Sequence, residues 1–224
     1  MVSDRFGDGV SNLARYATRF NAVEINSSFY RPHKSETYAR WAQSAPDGFR
    51  FAVKMPKAIT HERRLADCGE LIAAFAAQTA ELGDRRGPAL VQLPPSLVFE
   101  AQTAARFFDD LRDAMGGPIV CEPRHASWFA PAADQVLIDH HIARVAADPA
   151  KVPEAAHPGG WAGMRYARLH GSPRMYYSSY DDATIARLAD DARAADVETW
   201  TIFDNTTSGA AIENALVMLE VSGG

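Results

Sequence analysis

Seven short β-rich runs alternate with helical patterns along this chain, and that alternation constrains the fold more than any other feature. The runs are AVEIN (22–26), FAVK (51–54), ALVQL (89–93), PIVCE (118–122), IARVAAD (142–148), MRYARLH (164–170) and ETWTIFDN (198–205). Their starts lie 22 to 38 residues apart. A strand, a crossover helix and two loops need about that length, so the spacing predicts parallel pairing. The intervening segments carry helical periodicity. Ser11 is expected to cap a helix with Leu13, Tyr16, Ala17 and Phe20 on one face, and Ser35 to cap the next, with Tyr38, Trp41 and Ala42 apolar. Leu71, Ala74, Phe75, Gln78 and Leu82 predict a third apolar face, then Ala104, Phe107, Phe108 and Leu111, then Ile185, Leu188, Ala189 and Ala192. A last helix follows Gly209 with Ile212, Ala215, Leu216 and Leu219.

No linker, low-complexity tract or sequence repeat divides the chain, which reads as one domain over residues 1–224. Seven such units either close into a barrel or spread into an open doubly wound sheet. An open nucleotide-binding sheet advertises a glycine-rich turn after its first strand. Here GDGVSN (7–12) lacks the third glycine and has no strand before it. The expectation is therefore an α/β, TIM-barrel-like (β/α)8 fold with its site at the C-terminal ends of the strands.

Composition narrows the function classes. At 224 residues, 47% hydrophobic and 23% charged, the chain can bury a sizeable core, and disordered, collagenous and disulfide-scaffold classes are excluded. The longest apolar stretch, Leu71 to Ala77, is far below the roughly 18 residues of a membrane span. The opening MVSDRFGDGV has no signal-peptide pattern, so a cytoplasmic protein without membrane partners is expected. Cys68 and Cys121 suit a reducing compartment and have no zinc-binding spacing. The formal charge of −5 provides no global attraction to nucleic acid.

Strand parity sorts the polar residues, because side chains two apart share a face. With Val23 and Ile25 turned to the helices, Glu24 and Asn26 point into the barrel. The same rule turns Lys54, Gln92 and Glu122 inward, with Arg124 just beyond, and sets Asp148 opposite Val145. Arg168 and His170 share one face, and Asn205 shares one with Phe203. Singly, each is most economically a satisfied core polar group. Together they place carboxylates, cations and a histidine at one end of the fold, where unpaired charges cost several kcal/mol each. A structural ion-pair network and a polar ligand site are the two explanations, and the ligand site is preferred. Arginine forks suit carboxylate or phosphate, while Glu24 and Glu122 could trade protons or accept from hydroxyls. Rim aromatics Phe29, Tyr30, Trp128, Tyr176, Tyr177 and Tyr180 either pack loops or stack on a ligand, and His61 and His125 either anchor loops or serve the site. There is no GxSxG, Walker loop or HExxH. Glu24, Glu122, Asp148 and His170 could converge on a divalent ion, yet spacing singles out no metal site, and no cofactor is indicated.

VEINSSFYRPH, FRFAVKMPKAITH, LVQLPPSL, CEPRHASWF, YARLHGSPRMYYSSY and FDNTTSGAA together resemble the YecE-like family, a domain of unknown function numbered 72, from about Leu13 to Leu219. The resemblance implies a TIM-barrel-like fold with a cleft at the strand ends and supplies no established reaction. Its characteristic positions are Glu24, Asn26, Phe29, Tyr30, Lys54, Thr60, His61, Gln92, Pro94, Pro95, Glu122, Arg124, His125, Trp128, Arg168, His170, Gly171 and Asn205. The chain departs from the family pattern twice. Asp204 stands where relatives read Asn, and no Gly-Trp strand precedes Ser11, so either the start is truncated or the barrel has seven strands. A missing first strand would leave the strands at 22 and 198 with unpaired edges, inviting an open barrel, poor solubility or dimerisation there.

The functional expectation is an enzyme, of hydrolase, lyase or isomerase type, acting on a small polar or anionic metabolite such as a phosphate, carboxylate or sugar-like compound. Glu24, Glu122, Lys54 and His170 are its catalytic candidates, with Lys54 either a cation or a Schiff-base amine. Asn26, Tyr30, His61, Gln92, Arg124, His125, Trp128, Asp148, Arg168, Tyr177 and Asn205 are its binding candidates. Two alternatives stand beside it: a nucleic-acid-binding or metal-dependent phosphodiester-cleaving protein, by fold analogy alone, and a non-catalytic ligand-binding module. Oligomeric state is not legible.

Overall fold

The structure is a computed structural model and describes residues 5–223. The described residues form two compact units, one running to Leu93 and including Gln102–Ile119, the other comprising Pro94–Ala101 and the chain from Val120 onward.

In the first unit, strands β1 (Ala22–Ile25), β2 (Arg50–Lys54) and β3 (Arg86–Gln92) pair in parallel, as their spacing predicts. Helix α1 (Asn12–Tyr16) precedes them, and α2 (Ser27–Tyr30), α3 (Ser35–Ser44), α4 (Gly69–Ala80) and α5 (Ala101–Met115) connect or follow them. The core is aromatic: Phe49, Phe51, Phe107 and Phe108 are all buried. Along α5 the buried set Ala104, Phe107, Phe108, Leu111 and Met115 follows the expected face. The α4 face is rotated by one residue from the expected one. Ile72, Phe75, Ala76 and Thr79 are buried while Ala74 is exposed. Thr79 satisfies its hydroxyl on Phe75 O at 2.9 Å, so it sits inside a helix face where Gln78 was expected. Ser11 caps α1, its Oγ accepting from Ala14 N at 3.1 Å. Ser35 does not cap α3. The extended N-cap residue is Lys34, without a side-chain bond, and Ser35 is the first helical residue. Among the described residues no strand precedes Ala22.

The second unit holds β4, nearly all of whose Ile119–Glu122 belongs to it, then α6 (Pro131–Asp139), β5 (Ile142–Arg144), β6 (Ala146–Asp148), β7 (Gly159–Gly160), β8 (Met164–Leu169), α7 (Asp182–Arg193), β9 (Glu198–Phe203) and α8 (Ala210–Ser222). The expected run 142–148 is interrupted at Val145, whose N–H donates to Cys121 O at 2.8 Å. Strands β6, β8 and β9 are parallel, with Ala147 beside Arg168 beside Ile202, and Asp148 beside Leu169 beside Phe203.

The connection from β6 to β8 carries no α-helix, only a 3-10 turn (Pro153–Ala156) and β7, which pairs antiparallel to β5. It is latched by buried Arg144, whose Nε donates to Asp134 Oδ1 at 3.2 Å and Nη1 to Glu154 O at 3.0 Å, with the guanidinium 4.8 Å from the Phe129 ring centroid. A Cβ at Gly159 would run into that guanidinium, so a side chain there would have to displace the latch. Without a crossover helix, a half-open cavity of about 480 Å³ remains along Ala146, Ala167 and Leu188. Among the described residues no helix is long and apolar enough to cross a membrane.

Candidate functional site

The C-terminal ends of β4, β8 and β9 carry a buried charged cluster. Arg168 is fully buried, and Glu122 and His170 are 1% exposed. Parity explains the meeting. Arg168 and His170 lie on one face of β8, and the β8–β9 register opposes Arg168 to Ile202, so Asp204 follows on that same face. Arg168 Nη1 donates to Glu122 Oε2 at 2.6 Å and Nη2 to Asp204 Oδ2 at 2.9 Å. Arg124 closes the other side, its Nε and Nη2 both 2.9 Å from Glu122 Oε1. His170 Nδ1 lies 3.0 Å from Asp204 Oδ2, and its Nε2 lies 3.5 Å from Glu122 Oε1, too long and misaligned for a hydrogen bond.

These charges set one another's protonation. Burial pushes Glu122 upward, but the charges of Arg168, Arg124 and His170 around it overcome that and hold the carboxyl well below its usual range. Burial would lower His170, yet its hydrogen bond to Asp204 and the negative charge of Glu122 prevail and raise it. Burial likewise opposes the charge on Arg124, whose pKa is nevertheless raised by Glu122 and by its hydrogen bond to Tyr176. Glu122 is thus a permanent carboxylate and a poor proton donor. His170, raised and between two carboxylates, is the cluster's group suited to take up and release a proton.

Tyr176 belongs to this cluster, and Tyr177, the binding candidate, does not. Tyr176 holds a left-handed backbone (φ +67°), donates from its N–H to His170 O, and sets its ring 5.7 Å from the imidazole. Tyr177 turns away to stack under Arg174, 3.9 Å from the guanidinium carbon to the ring centroid. A non-glycine residue at positive φ costs energy, which concentrates at functional or tightly clamped loops.

Four other candidates are also placed elsewhere. Asn205 donates to Ser178 O at 2.9 Å and Asn214 Oδ1 at 2.8 Å, clamping the 171–180 loop, because odd positions of β9 share the face of Leu169. The β6 register gives Asp148 that same face, where its Oδ2 accepts from Tyr180 OH at 2.6 Å. Asp148 therefore lines the 480 Å³ cavity and not the Glu122 cluster, and the expected carboxylate-histidine convergence does not form through it. Trp128 is 1% exposed, with Nε1 donating to Leu97 O at 2.9 Å and its ring against Phe99, so it anchors a loop. His125 caps the following 3-10 turn, its Nδ1 accepting from Ser127 N at 3.2 Å.

In the first unit, the registers Glu24–Ala52 and Lys54–Leu90 bring Glu24, Asn26, Lys54 and Gln92 to one face of the sheet, as parity predicts. Asn26 Nδ2 donates to Glu24 Oε1 at 2.9 Å. Lys54 Nζ lies 4.3 Å from the Phe29 ring centroid, and Phe29 meets His61 edge-on at 4.9 Å. His61 Nδ1 is 2.8 Å from Thr60 Oγ1. Gln92 is buried, whereas Tyr30 is 75% exposed on the edge of Phe29.

Asp204 and Tyr176 are the residues that sequence reasoning left out of the site. Extending the β8–β9 parity one residue past the strand finds Asp204. Nothing in the sequence distinguishes Tyr176 from Tyr177.

The larger cavity and the charged cluster differ in what they leave unsatisfied. Around the cavity, Asp148 is bonded by Tyr180, Asp181 Oδ1 accepts from Thr184 N, and Arg187 donates to Thr184. In the cluster, a slot of about 10 Å³ is lined by Glu122, Arg124, Lys151, His170 and Met175, and buried His170 Nε2 has no hydrogen-bond partner. That unsatisfied polar atom, set among buried charges, makes the cluster the candidate site.

Comparisons with known proteins agree with this architecture. The chain is 32% identical over 135 residues to the UPF0759 protein YecE of Escherichia coli K12, covering 60% of the chain and 49% of that protein. It is 26% identical over 126 residues to the UPF0759 protein YunF of Bacillus subtilis, covering 53% of the chain and 44% of that protein. Each match thus spans about half of the curated relative. Crystal structures of DUF72 family proteins superpose on it: one from Enterococcus faecalis with TM-score 0.81 and 24% identity over 96% of the chain and 89% of its own, and one from Thermotoga maritima with TM-score 0.76 and 25% identity over 94% and 88%. A D-psicose 3-epimerase from Clostridium cellulolyticum, crystallised with D-tagatose, matches in fold alone, with TM-score 0.51 and 10% identity over 95% of the chain and 91% of its own. The fold is TIM-barrel-like α/β, although the hydrogen-bonded strands among the described residues do not make a closed barrel. A sequence profile for the family described as "Protein of unknown function DUF72" matches residues 6–223, and the chain belongs to that family.

Proposed function

We propose that this chain binds and transforms a small polar or anionic metabolite at the Glu122–Arg168–His170 cluster. The observation that carries the reading is a charged set buried at the strand ends with one polar atom left unsatisfied, an arrangement that stability alone does not favour. Arg124 and Asp204 are the members that reach solvent, with side chains 18% and 17% exposed, so the ligand meets them first. Arg124 then acts as the anchor and His170 as the group that exchanges a proton. Glu122, held ionised, orients both arginines and does not serve as an acid. Arg168 is already committed to Glu122 and Asp204 and fixes their geometry. Glu24, Asn26, Lys54 and Gln92 form a second polar set on the other unit's sheet, proposed to contact hydroxyl or anionic groups in their own right.

A thermal-shift panel of inorganic phosphate, small carboxylates and polyols tests this. A ligand present at 100 times its Kd adds about 2.7 kcal/mol, which is roughly 5–11 °C for a chain of this size. At least one compound should raise Tm, and Arg124→Gln should abolish the shift. A flat panel, with Arg124→Gln indistinguishable from wild type, overturns the reading. Turnover of the compound that binds separates an enzyme from a binding module.

A further inference from the structure

We propose that the ligand of this cluster inserts a single anionic oxygen, from a carboxylate or phosphate group, against His170 Nε2. The inference rests on the binding reading above and goes further by excluding a neutral hydroxyl from that position.

The imidazole lies between two carboxylates, with Nδ1 3.0 Å from Asp204 Oδ2 and Nε2 3.5 Å from Glu122 Oε1. A neutral ring would have to turn a lone pair towards one of those oxygens, so the geometry favours hydrogens on both nitrogens. Nδ1–H is spent on Asp204, and Nε2–H is a buried donor without an acceptor in hydrogen-bond geometry. The slot beside it, of about 10 Å³, has room for one oxygen atom. Its other cationic lining groups, Arg124 and Lys151, offer only donors, while Glu122 Oε1 already takes both Nε and Nη2 of Arg124. An oxygen with lone pairs and no hydrogen satisfies this surround. A hydroxyl would bring a hydrogen for which Glu122 has little capacity left. Charge agrees: Arg124, Lys151 and protonated His170 against Glu122 leave two net positive charges on the slot, and Asp204 is balanced by Arg168 behind it. Tyr176 is the remaining titratable group facing the ring.

The test is calorimetric titration of the whole chain with acetate, inorganic phosphate, glycerol and erythritol, between pH 6 and 9. Acetate or phosphate should bind and the polyols should not; which anion binds more tightly identifies the source of the oxygen. Anion affinity should fall as pH rises through the His170 titration, and this arm needs no variant. His170→Asn should weaken anion binding about tenfold or more, the loss of one charged hydrogen bond, with His170→Gln as the second variant should Asn fail to fold. Lys151→Met should weaken it to a smaller degree. Polyol binding as tight as the anion's, or anion affinity that ignores both pH and His170 substitution while Arg124→Gln abolishes it, overturns this inference and leaves the binding site standing. No binding by any of the four overturns both.

Discussion

Glu122 holds the cluster together, because Arg168 has no exposure to water and depends on it. Glu122→Gln should destabilise by about 3–5 kcal/mol in urea unfolding, the usual consequence of leaving a buried charge without its counter-ion. The pH dependence follows from the two shifts. The lowered Glu122 carboxyl contributes stability above the unfolded value near 4.3, and loses it as pH falls through its lower folded value. The raised His170 contributes stability below about 6.5, lost as pH rises through its higher folded value. Stability should therefore peak between these limits, with Glu122→Gln flattening the acid limb and His170→Asn the alkaline one. Asp204→Asn removes a charge from His170, and its imidazole titration, followed by NMR, should move down; an unchanged midpoint would show that Asp204 does not hold the proton. At this scale parity within a strand was enough to group Glu122, Arg168 and His170. It failed for Asp148, where taking Val145 as helix-facing set the wrong phase across an interrupted strand, and for Asn205, one residue out of phase with Arg168.

At the scale of elements, the 171–180 loop is held by α8 through one buried amide. Asn214 Oδ1 accepts from Tyr180 N and Asn205 Nδ2, while its Nδ2 donates to Ser179 Oγ and Tyr180 O. Asn214→Ala strands several buried polar groups and should cost about 2–4 kcal/mol. It should also speed hydrogen exchange at Tyr176 N, which bonds to His170 O, before that of β8. Periodicity places α8 after Gly209 but leaves Asn214 off its apolar face, where Ala211, Asn214 and Leu216 are the buried residues, since an amide in an otherwise apolar helix gains a reason for burial only when the loop folds over it. The caps provide a second test. Asp181 caps α7 with a 2.7 Å bond to Thr184 N, so Asp181→Ala should lower the urea midpoint. Ser35→Ala should leave it nearly unchanged, because Ser35 already lies inside α3 and caps nothing.

For the molecule as a whole, a net charge of −5 and only four lysines argue for a local anion site over a long-range one. One bound anion should lose less than about tenfold in affinity between 50 and 200 mM salt, whereas a nucleic-acid surface contacting 6–10 phosphates loses about 10³–10⁵. A steep slope with oligonucleotides would restore the phosphodiester alternative. Sequence alone determined the α/β alternation, the seven main strand runs to within a few residues and which residues share a face of β1, β2, β3 and β8, because these follow from periodicities of about two and 3.6 residues that the chain carries locally. Tertiary structure alone decided which further groups join them. Register between strands put Asp204, and not Asn205, beside His170; a loop in a strained left-handed turn chose Tyr176 over Tyr177; and the missing crossover helix left Asp148 facing a cavity on the opposite side. Those outcomes depend on distances between segments far apart in the chain, which no local pattern encodes.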